Sequence, residues 1–398
     1  MKTPAPSTQA LHGAATRGEV GEPLSPSVVA STSFYSHPDA AGFSANEMGE
    51  SAPYFYTRWG NPTIDLLEKR LAILEHAEAA VCFASGMAAT SALFLSLLKA
   101  GDHLVLANVC YAGVAELAQE TLTRLGISVT TADATKPERI AAAITPQTRL
   151  VHIETPGNPI FCVADVEAIA RVAHERGVRL SVDSTIATPL GLRPLELGAD
   201  FVIHSLTKYA CGHGDALGGA VLGCTEDMNE LRKGPLVHLG ASLHPMAAWL
   251  ILRGLETLPA RMALHQANAA RVAEFLESHP RVHHAYWPGL SSHPQHELAR
   301  RQMKNFSGMI AFTASGGVAL ARQLADRMRL ISYAVSLGKT KSLLFYIPTD
   351  DLLRTSYRLS EDDARAFRET AGEGIFRLSV GLEDAEDLIE DLRQALAD

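Results

Sequence analysis

The sequence predicts an α/β fold with a mostly parallel seven-stranded sheet between helices, followed by a smaller α+β domain. The first observation is a series of short apolar runs, and the second is that helical stretches separate most of them. The runs lie at 80–83, 103–107, 128–132, 150–154, 179–182, 201–204 and 219–222, and the helical stretches include 114–125, 137–144 and 165–175. Parallel strands need such crossovers, and helices on both faces bury the sheet.

The chain of 398 residues divides into three predicted parts. Residues 1–60 are rich in Pro, Ser and Gly and indicate an arm without regular structure. Residues 61–255 carry the alternating pattern and begin with a helix opened by Asn61. Residues 256–398 change character and indicate the α+β domain. A long helical stretch at 245–278 leads into that domain, which has strand-like pieces at 308–313, 331–336 and 375–380 and a closing helix from about 384.

Charge and hydropathy argue against two classes of partner. The net charge is −9 and no dense block of Lys or Arg occurs, so we expect no nucleic-acid surface. Residues 79–98 are uncharged and long enough to cross a bilayer. Ser85 and Gly86 interrupt them after a short strand, however, so a strand, a turn and a buried helix are the preferred interpretation. No apolar signal segment is evident at the N-terminus, and we expect a cytoplasmic protein without membrane contact.

The cysteines and histidines do not form a metal-site pattern. The cysteines are odd in number and contain no Cys-x-x-Cys pair, which is typical of reduced thiols; they are Cys82, Cys110, Cys162, Cys211 and Cys224. His293 and His296 lie in a Ser/Pro/Gln-rich stretch, where we expect an exposed loop. The sequence therefore predicts no metal.

Polar residues follow several of the predicted strands, where sheets of this kind bind ligands. Ser85-Gly86-Met87 begins a helix whose N–H groups suit a phosphate, although a tight turn explains the glycine equally well. Asp183 ends another strand, as a catalytic carboxylate or a helix cap. Glu154 precedes Pro156-Gly157-Asn158, where a turn is the simpler interpretation.

Lys208 is the most informative strand end. It follows the apolar strand 201–204 through Ser205 and Thr207. An amine in such surroundings loses hydration unless its pKa falls or a partner is present, and a lowered pKa suits a lysine that forms a Schiff base. No glycine signature for nucleoside triphosphates or dinucleotides follows a strand, so those ligands lose support.

These motifs resemble the trans-sulfuration (Cys/Met metabolism) family of pyridoxal 5'-phosphate (PLP) enzymes, which includes cystathionine γ-synthase, cystathionine γ-lyase and methionine γ-lyase. The resemblance extends over nearly the whole chain and implies the type-I fold of PLP-dependent transferases. It rests on Tyr56-Thr57-Arg58, Gly60-Asn61-Pro62-Thr63, Ser85-Gly86-Met87, Glu154-Thr155-Pro156-Gly157-Asn158-Pro159, Val182-Asp183-Ser184-Thr185, Ser205-Leu206-Thr207-Lys208-Tyr209, Gly212-His213-Gly214-Asp215, Ser336-Leu337-Gly338 and the segment 377–384.

The resemblance implies a role for each matching residue. Lys208 would carry PLP as a Schiff base and then shuttle protons, Asp183 would keep the pyridine nitrogen protonated, and Tyr111 would stack on the ring and assist the leaving group. The phosphate would be held by Gly86, Met87, Ser205 and Thr207, with Tyr56 and Arg58 from the neighbouring subunit. The substrate carboxylate would be bound by Arg377 with Asn158 and Ser336. The implied assembly is a homotetramer built as a dimer of dimers.

Departures from the family pattern fall on the substrate side. Gly113 stands where methionine γ-lyases typically carry Cys, and Ser184 stands where Asn is common. Lys339 replaces a common Gly, and Lys341 replaces the Glu found in many enzymes that use cystathionine. The charge reversal at Lys341 alters substrate recognition only if that side chain faces the site.

The predicted reaction is γ-elimination, a carbon–sulfur or related Cγ–heteroatom lyase activity on an amino acid derived from methionine, cystathionine or homoserine. Its products would be 2-oxobutyrate and ammonia, or a vinylglycine-derived product. Three alternatives remain: γ-replacement of the cystathionine γ-synthase or O-acetylhomoserine sulfhydrylase type, γ-elimination from an unusual substrate such as canavanine, and a non-catalytic binding protein with the PLP fold.

Overall fold

The structure is a computed structural model that describes residues 4–14, 20–21, 23–39 and 53–397. Twelve strands lie within this part of the chain: Ala79–Phe83, His103–Ala107, Ser128–Ala132, Thr148–Glu154, Arg179–Asp183, Phe201–His204 and Gly219–Gly223 (β1 to β7), then Val282–Tyr286, Met309–Ala314, Ser332–Tyr333, Leu343–Pro348 and Gly374–Ser379 (β8 to β12). The α-helices are Pro6–His12, Pro62–Glu75, Gly86–Leu97, Ala112–Glu116, Pro137–Ala143, Val166–His174, Thr188–Gly191, Thr225–Leu231, Val237–Leu239, Pro245–Ser278, His296–Gln302, Gly317–Arg327, Thr349–Thr355, Glu361–Ala371 and Ala385–Leu396 (α1 to α15).

The strands form a seven-stranded sheet in the order β1-β7-β6-β5-β4-β2-β3 and a five-stranded sheet in the order β10-β11-β12-β9-β8. All seven apolar runs of the sequence became strands of the larger sheet, which confirms the predicted fold class. By its internal contacts the chain separates into two compact units, one of 1–97 with 200–259 and one of 98–199 with 260–398. We call them the first and the second unit. The predicted division at 60 and 255 remains a prediction.

The first unit contains β1, β7 and β6. Strand β7 pairs antiparallel with both neighbours, and Ala79 lies opposite Gly223. Phe83, Phe201 and Val221 belong to the hydrophobic core of this unit. The uncharged segment 79–98 is divided as predicted, because β1 ends at Phe83 and α3 begins at Gly86. Within the described residues, no helix combines the length and the apolar character needed to cross a membrane.

The arm predicted at 1–60 is described only in part, since residues 1–3, 15–19, 22 and 40–52 lie outside the described residues. The prediction of an arm without regular structure was wrong at α1, Pro6–His12. Proline occupies the first turn of this helix, where its missing N–H costs nothing. The Pro-rich composition that indicated a loop is therefore compatible with a helix start.

The second unit contains two sheets. Strands β3, β2, β4 and β5 are parallel to their neighbours, with α5 and α6 as crossovers. The five-stranded sheet is antiparallel except between β10 and β11. Its core includes Phe312 and Phe376, whose rings stack with centroids 5.0 Å apart. This sheet and its helices are the predicted α+β domain.

Sequence patterns identified this second sheet less completely than the first. The helix at 245–278 was predicted with its observed bounds, but β8, β11, α12 and α14 were not predicted. The expected strand at 331–336 is only two residues long, Ser332–Tyr333. The loop expected at His293 is buried rather than exposed. Strand β8 alternates buried and exposed positions and gives no continuous apolar run, whereas β11 is such a run and was missed all the same.

Candidate active site

Residues predicted to hold a phosphate lie close together in the first unit. Helix α3 begins at Gly86, and the Ser85 hydroxyl accepts a hydrogen bond from the Ala88 N–H at 3.1 Å. A Cβ on Gly86 would lie 2.9 Å from the Ser205 Cβ, so only glycine lets these two turns approach. Gly219 is equally constrained, because its Cβ would lie 2.2 Å from the Ser85 carbonyl oxygen. The result is a helix N-terminus beside a hydroxyl, which suits a phosphate.

The Thr207 hydroxyl has partners inside the chain. It donates to the Gly218 carbonyl at 3.2 Å and accepts from the Gly218 N–H at 3.1 Å. A hydroxyl has one proton, so a phosphate must compete with Gly218 for it. The contact joins the two ends of the loop between β6 and β7.

Lys208 lies in that loop, four residues after the end of the fully buried strand β6. Its N–H donates to the Ser205 carbonyl at 3.1 Å, and its carbonyl accepts from the Gly212 N–H at 2.8 Å. Gly212 has φ +74°, which favours glycine. Leu206 and Tyr209 are fully buried and anchor the loop on both sides of Lys208. The local fold therefore fixes the backbone that carries the lysine.

Arg58 and Tyr56 form a pair in the same unit. The guanidinium carbon of Arg58 lies 5.6 Å from the centre of the Tyr56 ring, and Nη1 donates to the Val237 carbonyl at 2.7 Å. Tyr56 is exposed. Within the described residues, Arg58 thus contacts an aromatic ring and a backbone carbonyl.

A second group of predicted residues lies in the second unit. Arg377 on β12 donates from Nη1 to the Asn158 side-chain oxygen at 2.9 Å and from Nη2 to the Ser336 carbonyl at 3.5 Å. Ser336 thus contacts Arg377 through its backbone rather than its hydroxyl, and it has φ +113°, a strained value for a residue with a side chain. Burial lowers the pKa of Arg377, and the negative charge of Glu154 offsets part of that shift.

Asp183 and Glu154 end neighbouring parallel strands, where they lie opposite one another in register. The Asp183 carboxylate accepts from the Thr185 N–H at 2.9 Å, within the turn that follows the strand and before α7 begins at Thr188. Glu154 is buried, and its carboxylate accepts from the Tyr111 N–H at 2.5 Å and the Asn158 N–H at 3.0 Å. Burial raises the pKa of Glu154, and so does the charge of Asp183.

The sequence did not assign a function to Glu154 or to Tyr357. The Tyr357 hydroxyl, which is buried, donates to the carbonyl of Cys110 at 2.5 Å and also contacts that of Asn158 at 3.1 Å. Glu154 is a polar residue at a strand end, directly before Thr155-Pro156-Gly157-Asn158, and this position was the sequence feature that could have indicated a function. A tyrosine between two short helices, in contrast, carries no signal in the sequence.

The substrate-side departures are also visible in the second unit. A Cβ on Gly113 would lie 2.8 Å from Cε1 of the Tyr111 ring. Lys341 is exposed and Lys339 is partly buried. Their loop is held by the Thr340 carbonyl, which accepts from the Leu382 N–H at 2.8 Å. No group of three or more His, Cys, Asp or Glu side chains in the described part of the chain is arranged for a metal ion.

A family model described as Cys/Met metabolism PLP-dependent enzyme matches residues 7–397. The chain belongs to this family. It is a PLP-dependent enzyme of the trans-sulfuration type, and the predicted family, enzyme class and cofactor are therefore confirmed. The donor set in the first unit fits PLP, because Lys208, the glycine-lined helix start at Gly86 and the Ser205 hydroxyl belong to one compact unit.

Individual relatives span almost the whole chain. An L-methionine gamma-lyase from Porphyromonas gingivalis is 42% identical over 98% of this chain and 96% of its own. A canavanine gamma-lyase from Pseudomonas canavaninivorans is 41% identical over 98% of this chain and 95% of its own. Both names describe γ-elimination, the predicted type of reaction.

A solved structure supports the fold. The cystathionine gamma synthase from Xanthomonas oryzae pv. oryzae, in complex with aminoacrylate and cysteine, has a TM-score of 0.87 and 36% identity and covers 99% of this chain and 98% of its own. Its name describes γ-replacement rather than elimination. Members of one fold in this family therefore carry out both reactions.

Proposed function

We propose that this enzyme eliminates the γ-substituent of a four-carbon amino acid derived from methionine, cystathionine or homoserine, with 2-oxobutyrate and ammonia as products. The observation that carries the proposal is the hydrogen bond of 2.9 Å between the partly buried Arg377 and the buried Asn158, in a chain similar over 98% of its length to a methionine γ-lyase. A partly buried guanidinium with a fixed amide partner suits the α-carboxylate shared by all amino acids.

We propose the residue roles that the family resemblance implies. Bound PLP supplies an electron sink for the bonds at Cα and Cβ. Lys208 attaches the cofactor through its amine and afterwards moves protons. Gly86, Met87, Ser205 and Thr207 bind the phosphate, and Asp183 keeps a proton on the pyridine nitrogen.

The remaining residues handle the substrate and the neighbouring subunit. Arg377, Asn158 and Ser336 orient the α-carboxylate. Tyr111 packs on the ring and delivers a proton to the departing group. Tyr56 and Arg58 reach the phosphate of a neighbouring copy, because the family resemblance implies that exchange.

A canavanine-type substrate is the second candidate. Gly113 favours it, because methionine γ-lyases typically carry Cys at that place and a Cβ there would press on the Tyr111 ring. The similarity to a canavanine γ-lyase supports the same substrate class. A γ-replacement activity is the further alternative, supported by the cystathionine γ-synthase structure.

The test is 2-oxo acid release by the purified, PLP-loaded protein without an added nucleophile. The panel contains methionine, homocysteine, cystathionine, cysteine, O-acetylhomoserine and canavanine. We expect 2-oxobutyrate from one γ-substituted member, and the active member identifies the leaving group. Product that forms only after a thiol nucleophile is added would instead establish γ-replacement.

Lys208→Ala is the matched variant. It removes the amine from a loop whose backbone is fixed by Leu206 and Tyr209, so we expect the fold to persist. Turnover should fall by at least about a thousandfold, because a covalent and proton-transfer role is lost. A variant with wild-type turnover, or a wild type that never acquires visible absorption with PLP, would favour the non-catalytic binding protein.

We further propose a cytoplasmic homotetramer, arranged as a dimer of dimers. Support for assembly comes from the arm, where Leu24 and Tyr35 are fully exposed. Support for the compartment comes from the five cysteines, none of which is in a disulfide in the described residues. Light scattering coupled to gel filtration measures the mass, and a monomer of 42.7 kDa would contradict the assembly.

A further inference from the structure

Glu154 and Tyr357 hold the same two backbone positions of the second unit. The Cys110–Tyr111 peptide donates its N–H to Glu154 Oε2 at 2.5 Å, and its carbonyl accepts from Tyr357 Oη at 2.5 Å. Asn158 is held in the same manner, by Glu154 Oε1 at its N–H (3.0 Å) and by Tyr357 Oη at its carbonyl (3.1 Å). Tyr357 has a single hydroxyl proton, which the two carbonyls share, with the shorter contact at Cys110. We call this arrangement the Glu154–Tyr357 clamp.

Both side chains are buried, at 7% exposure for Glu154 and 3% for Tyr357. Buried polar groups of this kind are costly unless they are hydrogen-bonded, so any shift of either backbone position leaves a polar group without a partner. The Tyr357 ring is also fixed, because it packs edge-on against Phe367 at 5.6 Å. Burial raises the pKa of Tyr357 and keeps its hydroxyl a donor.

The clamp continues into the carboxylate-binding residues. The side chain of Asn158, whose backbone is held on both sides, accepts from Arg377 Nη1 at 2.9 Å. Tyr111 follows the other clamped peptide directly, so its ring starts from a fixed backbone. The clamp therefore joins the positions of Tyr111 and of the Asn158–Arg377 pair.

We infer that Glu154 and Tyr357 are positioning residues, which act through Asn158 and Arg377 to set how tightly the site binds the α-carboxylate of an amino acid. This inference rests on the proposed function, which assigns the carboxylate to Arg377. Neither residue touches the substrate in this role. Loss of either residue should weaken the binding of ligands that carry an α-carboxylate and leave the binding of other amines nearly unchanged.

The experiment compares two ligands on the full-length, PLP-loaded protein. L-norvaline has an α-carboxylate but no leaving group, and n-butylamine is the same molecule without the carboxylate. Titration of the visible absorption gives a dissociation constant for each. In Tyr357→Phe, which keeps the ring, we expect norvaline to bind about tenfold more weakly, or about 1.4 kcal/mol. Butylamine should change by less than about twofold.

Glu154→Gln provides an independent variant should Tyr357→Phe fail to fold. Its amide keeps the shape of the carboxylate but presents an NH₂ group to one of the two backbone N–H donors, so one bond is lost. We expect this variant also to bind norvaline about tenfold more weakly and to bind butylamine nearly as the wild type does. Combining Tyr357→Phe with Asn158→Ala should give a non-additive loss, since both act on one contact.

Ser356→Ala is the matched control. Ser356 precedes Tyr357, is equally buried, and donates to Glu116 Oε1 at 2.6 Å without contacting the clamp. We expect it to lower thermal stability by a comparable amount and to leave norvaline binding within about twofold of wild type. A Ser356→Ala loss equal to that of Tyr357→Phe would show a general structural effect and overturn the inference.

Two further outcomes separate this inference from the proposed function. In the first, the wild type binds norvaline, and Tyr357→Phe either raises the dissociation constants of norvaline and butylamine equally or changes neither of them. The clamp then has no role in carboxylate binding. If the wild-type absorption responds to no amino acid at all, the proposed function itself is wrong and the inference falls with it.

Discussion

At the scale of single residues, the substrate side of this enzyme differs from its family in positions with a visible steric consequence. Gly113 lies beside the Tyr111 ring, and a Cβ on it would lie 2.8 Å from Cε1 of that ring. Carbon atoms do not approach so closely, so any side chain at 113 must displace the ring. The exposed ring has room to move, which makes the expected effect functional rather than destabilising.

Gly113→Cys should therefore lower kcat/KM for the preferred substrate by about tenfold or more, because a displaced Tyr111 would no longer fill the role proposed for it at the departing group. Steady-state kinetics on the active member of the substrate panel measure the change, and the melting temperature should stay near that of wild type. Gly234→Ala is the control, since its Cβ would meet nothing within 4 Å. Unchanged kinetics in Gly113→Cys would show that the ring position does not limit turnover.

At the scale of elements, helix α2 is tied to the arm by its N-cap. The Asn61 side chain accepts from the Thr63 N–H at 2.9 Å and donates to the Val29 carbonyl at 2.9 Å and to the Thr57 hydroxyl at 3.1 Å. It is fully buried, so all three bonds are shielded from water. One residue thus starts the helix and fixes two segments that precede it.

Asn61→Ala should lower the free energy of unfolding by about 2–3 kcal/mol, since one cap bond and two buried partners are lost together. Denaturant titration measures the change. The matched control is Ser360→Ala at the exposed N-cap of α14. It loses the bond from the Asp363 N–H at 3.2 Å and the exposed bond to the Asp363 carboxylate at 2.8 Å, and about 1 kcal/mol is expected. Equal losses in the two variants would contradict the tie between α2 and the arm.

The sequence predicted elements well where burial is continuous. Every strand of the larger sheet was found. Apart from the half-exposed edge strand β3, these strands are mostly buried and consist of apolar runs such as 201–204, as expected of strands covered on both faces. Strand β8 was missed because its exposed positions interrupt the run, as at His283 and His284. The helix at Pro245–Ser278 was found despite Pro259 in its interior.

The residues of the candidate site were predictable where they lie within sequence motifs of the family. Lys208, Asp183 and Arg377 stood in segments with family resemblance, whereas the hydrogen bonds of Tyr357 were not predictable. Its partners Cys110 and Asn158 lie far away in the chain, and only tertiary folding brings their carbonyls to its hydroxyl. The engagement of the Thr207 hydroxyl by Gly218 has the same origin.

At the scale of the whole molecule, buried histidines make stability depend on pH. Burial lowers the pKa of His152 to about 3 and those of His265 and His293 to about 4. An unfolded histidine has a pKa near ~6.5, so the unfolded chain binds more protons below that pH. The stabilisation is therefore complete above about pH 6.5 and is lost as the pH falls toward 4.

We expect the unfolding free energy to decrease by up to about 1.4 kcal/mol per pH unit for each such histidine over this window. His265→Asn should reduce this slope by up to about 1.4 kcal/mol per pH unit, since that group no longer titrates. Denaturant titrations from pH 8 to pH 4 measure the slope. Replacing the exposed His283 with Asn should leave it unchanged, and an unchanged slope in His265→Asn would contradict the assignment.

The pairing of β1 with β7 has a consequence for synthesis on the ribosome. Ala79 pairs with Gly223, so β1 emerges before five other strands and waits for a partner that is translated after all of them. Until then one edge of an apolar strand has no hydrogen-bonding partner from β7, which is the state in which nascent chains associate with one another. A truncated product that stops before Gly219 lacks β7 and cannot complete the first unit. We expect chaperones to bind such a chain and proteases to degrade it.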